Sequence, residues 1–177
     1  MQLAVDEREH SLEMHLPYIL HVMAGRPFTL VPIMVGALSE QAEQRYGQLL
    51  APYLADTQNL FVVSSDFCHW GERFRFTYHD ARHGGEIYQS IEALDRRAMS
   101  LIEAQDAAGF AHYQREFGNT ICGRHPIAVL LHALQACGAP LHPARHALKF
   151  VRYAQSSQCR RPDDSSVSYA SAVVTVA

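Results

Sequence analysis

The chain of 177 residues is 48% hydrophobic and 19% charged, with a formal net charge of −3. This balance is typical of a globular protein that buries a core, and it argues against nucleic acid and anionic membranes as partners. No apolar stretch approaches bilayer-spanning length, so we expect no membrane insertion. The cysteines lack the paired spacing of zinc sites and the density of secreted disulfide scaffolds, which predicts reduced thiols in a cytoplasmic protein; they are Cys68, Cys122, Cys137 and Cys159.

The first part of the chain alternates helical and strand patterns. A helix capped by Ser11 is followed by a predicted buried strand over residues 28–35. Ser39 predicts the start of a second helix, whose inward face would carry Ala42, Tyr46, Leu49, Leu50 and Tyr53. A second buried strand is predicted over residues 60–64. This strand–helix–strand order predicts two parallel strands joined by a right-handed crossover.

The remainder of the chain predicts helices and then two strands. Residues 66–85 form a loop too long for a simple connector, as is typical of loops that build sites. Apolar spacing predicts helices over residues 87–101, 106–117 and 123–136, and strands over 148–153 and 167–176. These elements predict a single α/β domain spanning residues 1–177, with a mixed, largely parallel central sheet flanked by helices.

A polar cluster follows the predicted strand at residues 60–64. It places Asp66 three residues before His69, with Cys68 between them. Because ligands gather outside the carboxyl ends of strands in α/β sheets, this position favours function. A carboxylate and an imidazole can orient each other for acid–base chemistry or complete a metal shell. The alternative is structural: Asp66 forms a turn and Trp70 packs.

A second cluster surrounds Cys122, just before the predicted helix at residues 123–136 and beside Arg124. Backbone N–H groups and the helix dipole favour a thiolate there, which could bind metal or act as a nucleophile with His69. A packed, inert cysteine is the alternative. The sequence has no dinucleotide-binding, P-loop or hydrolase-elbow motif, so those classes lack support.

Long ungapped segments of the chain resemble the Memo family. They cover nearly the whole sequence and comprise residues 9–18, 35–39, 60–71, 119–126, 153–159 and 164–170. The resemblance implies a fold related to class III extradiol dioxygenases. Family members have an additional N-terminal portion, so we expect this chain to correspond to the C-terminal part of the family domain.

The resemblance also implies a metal pocket formed by two N-terminal histidines and a cysteine, with copper- or iron-dependent redox activity. Cys122 matches the cysteine ligand, and Asp66 matches an acidic residue at the pocket and is the second candidate ligand. His69 matches the histidine in the place of the dioxygenase general base, so His69 and Asp66 are the candidate catalytic residues. The two histidine ligands have no counterpart here, and we expect an incomplete shell in this chain.

For function, the resemblance implies signalling below the ErbB2 receptor tyrosine kinase and control of cell motility and the cytoskeleton, in the cytoplasm or nucleus. An oxidoreductase activity is expected of relatives with a complete pocket. The alternative is an adaptor with a vestigial pocket that binds a phosphotyrosine receptor peptide or another signalling protein. Arg73, Arg75 or Arg124 would then pair with the phosphate.

Overall fold

The computed structural model describes residues 3, 7, 9–137 and 146–176. The chain forms two compact units, Met1–Ala37 and Leu38–Ala177. In the first unit a 3-10 turn, Glu13–His15, leads into helix α1, Leu16–Val22. The predicted Ser11 cap is wrong, because the Glu9 carboxylate accepts the backbone N–H groups of Ser11 and Leu12 instead.

The predicted strands at residues 28–35 and 60–64 do not form, and both segments are irregular. Their apolar character matched a buried strand, but a strand also needs a hydrogen-bonded neighbour, and neither segment pairs with one among the described residues. Several of their side chains are exposed, namely Phe28, Leu30, Val31, Ile33 and Met34 in the first segment and Leu60 and Val62 in the second. The strand–helix–strand crossover is therefore wrong as well.

The sheet of the second unit has three strands, β1 (His69–Trp70), β2 (His146–Gln155) and β3 (Ser166–Val176). Their order is β1-β3-β2, and both pairings are antiparallel. The mixed α/β class is thus confirmed. The described sheet is small and antiparallel rather than largely parallel, because the two segments predicted as parallel strands lie outside it.

The second unit has four described helices, which form as predicted: α2 (Glu40–Ala55), α3 (Ile87–Glu103), α4 (Ala107–Phe117) and α5 (Arg124–Cys137). Ser39 caps α2 through Ala42 N–H, and Asp106 caps α4 through Gly109 N–H. The main core lies where α3, α4, α5 and β2 meet, and includes Leu94, Ala98, Ile102, Phe110, Tyr113, Leu131, Leu134 and Leu148. No helix in the two long described ranges is both long and apolar enough to cross a bilayer.

Helix α2 buries a different face from the one predicted. Its buried residues are Glu43, Gly47 and Ala51, whereas Tyr46, Leu49 and Tyr53 are exposed. A Cβ on Gly47 would lie 2.4 Å from the Cβ of His132 on α5. Because the two helices lie so close together, only small side chains fit between them. The sequence pattern predicted that the bulky apolar side chains would face inward.

Candidate functional site

The first part of the site lies at the start of β1. The Phe67 N–H donates to the Ser168 carbonyl and the Ser168 N–H donates to the Cys68 carbonyl, both at 2.9 Å. The Phe67 and Cys68 side chains are buried, whereas Asp66 and His69 are partly exposed. Asp66 and His69 are thus positioned by pairing with β3, and they do not lie at the carboxyl end of a parallel strand as the sequence predicted.

The second part of the site is the segment before α5. The Gly123 N–H donates to Ser65 Oγ at 3.0 Å. A Cβ on Gly123 would lie 2.6 Å from the Ser64 carbonyl oxygen and 2.4 Å from the Ser65 Cβ. Only glycine permits this approach without a shift of the backbone, and the approach brings Cys122 beside Asp66.

Three possible ligand side chains meet at this point. One ligand atom each from Asp66, His69 and Cys122 lies within 4.8 Å of the other two. His69 Nε2 is 3.6 Å from Asp66 Oδ2, and the Asp66 backbone N–H donates to Cys122 Sγ at 3.1 Å. The structure thus brings together the residues of the two sequence clusters, while their chemical roles stay predictions.

The imidazole of His69 is held in place with one nitrogen free of hydrogen bonds. The Phe74 ring packs edge-to-face against it, with 5.1 Å between ring centroids. Thr120 Oγ1 accepts the His69 backbone N–H at 2.7 Å and donates to the His69 carbonyl at 2.9 Å. Within the described chain His69 Nε2 has no hydrogen-bond partner, although it is buried. Such a nitrogen is suited to a ligand or to proton transfer.

Cys122 is the exposed cysteine of the four, and the other three are buried. Burial raises the pKa of the Cys137 and Cys159 thiols. Burial and the nearby Asp95 carboxylate raise the pKa of Cys68. These three thiols therefore stay protonated at neutral pH, which leaves Cys122 as the thiol open to metal ions and reagents.

The donor set fits a first-row transition metal. Thiolate, imidazole and carboxylate are the three side-chain ligand types that copper, iron and zinc accept together. Ligand atoms at about 2.0–2.3 Å from one ion lie roughly 3–4 Å apart, so a 4.8 Å cluster needs only small side-chain movements. In the described residues this is the one group of three such side chains so close together.

Sequence reasoning missed the fully buried Asp95 on α3, which connects the two parts of the site. Its Oδ1 accepts the Cys68 N–H at 3.3 Å and Asn119 Nδ2–H at 3.0 Å, and its Oδ2 accepts the Tyr153 hydroxyl at 2.9 Å. Burial raises the pKa of its carboxyl group. The signal was its position four residues after Ile91, on the apolar face of the helix.

Sequence reasoning also missed the contact between His125 and Glu43. His125 Nδ1 lies 2.5 Å from Glu43 Oε1, and their side chains are only 17% and 8% exposed. The pair joins the first turn of α5 to α2. Both residues line a cavity of about 430 Å³, together with Asn119 and Arg124. His125 therefore has a partner of its own outside the Cys122 cluster.

This mixed α/β chain, with a cysteine, a histidine and an aspartate converging beside a short strand, matches a known family model. The model is described as Memo-like protein and matches residues 1–173. The chain is 55% identical to protein MEMO1 of Rattus norvegicus and of Homo sapiens, over 99% of this chain and 59% of each relative. It is 45% identical to protein memo-1 homolog of Caenorhabditis elegans, over 97% of this chain and 49% of that protein. The chain belongs to the Memo family, and it spans about 59% of the length of these MEMO1 relatives.

Proposed function

We propose that this Memo-family chain contributes Cys122, Asp66 and His69 to a redox pocket for copper or iron. The observation that carries the proposal is the convergence of their three ligand atoms within 4.8 Å. Cys122 and Asp66 are the ligands, and His69 Nε2 holds or moves a proton. A bound copper or iron ion would supply one-electron redox chemistry. Two protein ligands from this chain leave at least two coordination positions open for other ligands.

The chain's own residues have distinct tasks in this proposal. The Asp66 backbone N–H fixes the Cys122 sulfur through its hydrogen bond at 3.1 Å. The Phe74 ring restricts the His69 imidazole, and the Asp66 carboxylate, 3.6 Å away, moves into hydrogen-bond range with a small rotation. A carboxylate that orients an imidazole in this way supports both metal binding and proton transfer.

Metal loading under anaerobic conditions tests this proposal. The protein is incubated with Cu(I) or Fe(II), desalted, and its metal content measured by mass spectrometry. Because this chain supplies only two of the proposed ligands, we expect weak binding of at most one ion per chain in the wild type. Cys122→Ser removes the thiolate ligand and should bind at least about tenfold more weakly. His112→Gln, an exposed histidine on α4, is the matched control and should bind as the wild type does. No binding by the wild type, or equal binding by Cys122→Ser, contradicts the proposal.

The role of His69 is separable in the same experiment. If His69 moves a proton, His69→Gln keeps its metal affinity, and the rate at which the metal-loaded protein is oxidised and reduced, measured separately, falls. If His69 is a third ligand, the same substitution weakens binding as Cys122→Ser does. Asp66→Asn lowers affinity in both cases, because an amide is a weaker ligand than a carboxylate.

The pocket is proposed to act in receptor tyrosine kinase signalling and cell motility, including cytoskeletal control, in the cytoplasm or nucleus. Family membership and 55% identity to MEMO1 support this role. Directed migration of cells depleted of their own Memo protein is the test. We expect a full-length relative to restore migration. The same relative with serine at the position equivalent to Cys122 should restore it partly or not at all. Equal rescue by the two proteins would contradict a link between the pocket and motility.

The phosphopeptide adaptor stays a second candidate because one of the predicted arginines lies beside the pocket. The Arg73 guanidinium stacks 4.4 Å above the Phe74 ring, which itself packs on His69. An arginine there can pair with a phosphate. Arg73→Gln should lower the affinity for a phosphotyrosine peptide and leave the affinity for the unphosphorylated peptide unchanged. Arg45→Gln is the control, since Arg45 stacks on Tyr46 of α2. Equal affinities for both peptides contradict phosphate recognition.

A further inference from the structure

The two chain segments that carry the candidate site meet on one buried oxygen. Asp95 Oδ1 accepts a hydrogen bond from the Cys68 N–H and another from Asn119 Nδ2. Cys68 directly precedes His69, and Asn119 lies three residues before Cys122. The carboxylate therefore lies behind the site and bonds to both segments at once.

Asp95 is itself fixed with little freedom to move. It has no solvent exposure, it belongs to the 17-residue helix α3, and its second oxygen accepts the Tyr153 hydroxyl. Tyr153 also donates to Ser168 Oγ on β3 at 3.2 Å. Because α3 and the sheet hold Asp95 on both sides, a shift of either site segment must break a hydrogen bond in a buried, low-dielectric environment.

We propose that Asp95 is a positioning residue that sets the separation between Cys122 and the Asp66–His69 pair. The predicted effect on metal affinity rests on the proposed metal function. Ligand atoms that lie up to 4.8 Å apart can move little further from one another and still bind one ion. Supporting groups behind metal ligands commonly change affinity by about 10–100-fold when removed. Asp95 acts through the backbone of the 66–69 segment and through Asn119, without contact to the metal ligands.

Asp95→Ala tests the proposal with two measurements on the folded protein. The Cu(I) dissociation constant, measured by competition with a chromogenic chelator, should rise by about tenfold or more. The rate of Cys122 alkylation by iodoacetamide should change by about threefold or more, since the Asp66 N–H contact to the sulfur depends on the segment's position. Asp95→Asn keeps an oxygen acceptor and should restore both values to within about threefold of the wild type.

Tyr153→Phe is the matched control for a general loss of stability. It also removes one buried hydrogen bond to Asp95, but it leaves both bonds to the site segments. We expect both readouts to stay within about twofold of the wild type. If Asp95→Ala leaves both readouts unchanged, or if Tyr153→Phe shifts them equally, the positioning role is overturned.

Two further comparisons distinguish a loss of positioning from a loss of folding and from a failure of the proposed metal function. If Asp95→Ala does not fold, Asn119→Ala decides by the same criteria, because it removes one of the two bonds to Oδ1. If the wild type binds no Cu(I), the metal proposal fails, and the alkylation rate alone then supports or overturns the positioning role. Binding by the wild type with no effect of either variant overturns the positioning role and leaves the metal proposal standing.

Discussion

Two carboxylate–histidine pairs in the second unit use the same chemical groups in opposite ways. Glu43 and His125 join α2 to α5 at 2.5 Å, and both side chains are largely buried. Asp66 and His69 lie 3.6 Å apart at the start of β1, with side chains 44% and 24% exposed. In the buried pair Nδ1 and Oε1 are in contact and connect two helices, although His125 Nε2, like His69 Nε2, has no hydrogen-bond partner among the described residues. The open pair keeps its groups available beside Cys122, so burial and distance separate a structural pair from one suited to chemistry.

The largest expected effect is the removal of one member of the buried pair. Glu43→Ala leaves the His125 imidazole buried without its hydrogen-bond partner, which typically costs about 1–3 kcal/mol and more where the group is charged. Urea unfolding followed by circular dichroism measures the change. Glu43→Gln, which keeps a hydrogen-bonding group of the same size, is the control and should cost clearly less. A loss below about 1 kcal/mol for Glu43→Ala would show that the pair behaves like a surface one.

The close approach of α2 and α5 around that pair gives the second prediction. In Gly47→Ala the new Cβ meets His132 Cβ at 2.4 Å and the Ala133 backbone nitrogen at 2.9 Å. Overpacking of this kind costs about 1–3 kcal/mol, even though alanine is the better helix former. Thermal unfolding compared with Gln48→Ala, an exposed position on the same helix, measures the effect. Equal stability of the two variants would contradict the helix contact.

A third prediction concerns pH and the buried Asp95, which hydrogen-bonds the segment that carries the open pair. Burial raises the pKa of its carboxyl above the ordinary 3.8, so the folded state binds the proton more tightly than the unfolded state. The stability that this proton confers is fully present below pH 3.8 and is lost as the pH rises through the folded-state pKa. The contribution of this one group to the unfolding free energy falls by at most about 1.4 kcal/mol per pH unit. The unfolding free energy of the wild type minus that of Asp95→Asn should therefore fall with rising pH. A difference that rises would contradict the raised pKa.

The smallest effect on stability is expected at the open pair. Asp66→Asn removes the charge of an exposed pair, and such pairs contribute less than about 1 kcal/mol. The same variant should weaken Cu(I) binding, because the carboxylate is a proposed ligand. Unfolding and metal titration on one preparation would separate the two. A large loss of stability with unchanged metal affinity would reverse the contrast between the pairs.

The closeness of Asp66, His69 and Cys122 could be anticipated from sequence because these residues are polar, reactive and clustered, while their function stays a prediction. Asp66 and His69 lie in one short segment, and Cys122 lies in another that begins a helix. The supporting residues could not be predicted as easily. Asp95 and Glu43 lie in helices, where a charged residue usually faces solvent. The position of Asp95 on the apolar face of α3 indicated its burial, whereas the burial of Glu43 follows from the contact between α2 and α5.

The fold shows the same division between local and long-range information. The four helices of the second unit and strands β2 and β3 follow from spacing and capping, which are local properties. The strands predicted at residues 28–35 and 60–64 would need neighbouring strands as hydrogen-bond partners, which the local sequence does not identify. Both segments are irregular. The inward face of α2 was wrong for a related reason, since contact with α5 selects Gly47 and Ala51 over Tyr46 and Leu49.

The contrast between one exposed and three buried thiols makes Cys122 a natural attachment point for a spectroscopic label. A fluorinated alkylating reagent added to the native chain would report on the pocket by fluorine NMR with no engineered cysteine. Because alkylation blocks the sulfur as a metal ligand, a phosphopeptide that still shifts the fluorine signal binds independently of metal. One labelled sample would therefore separate the adaptor hypothesis from the redox hypothesis.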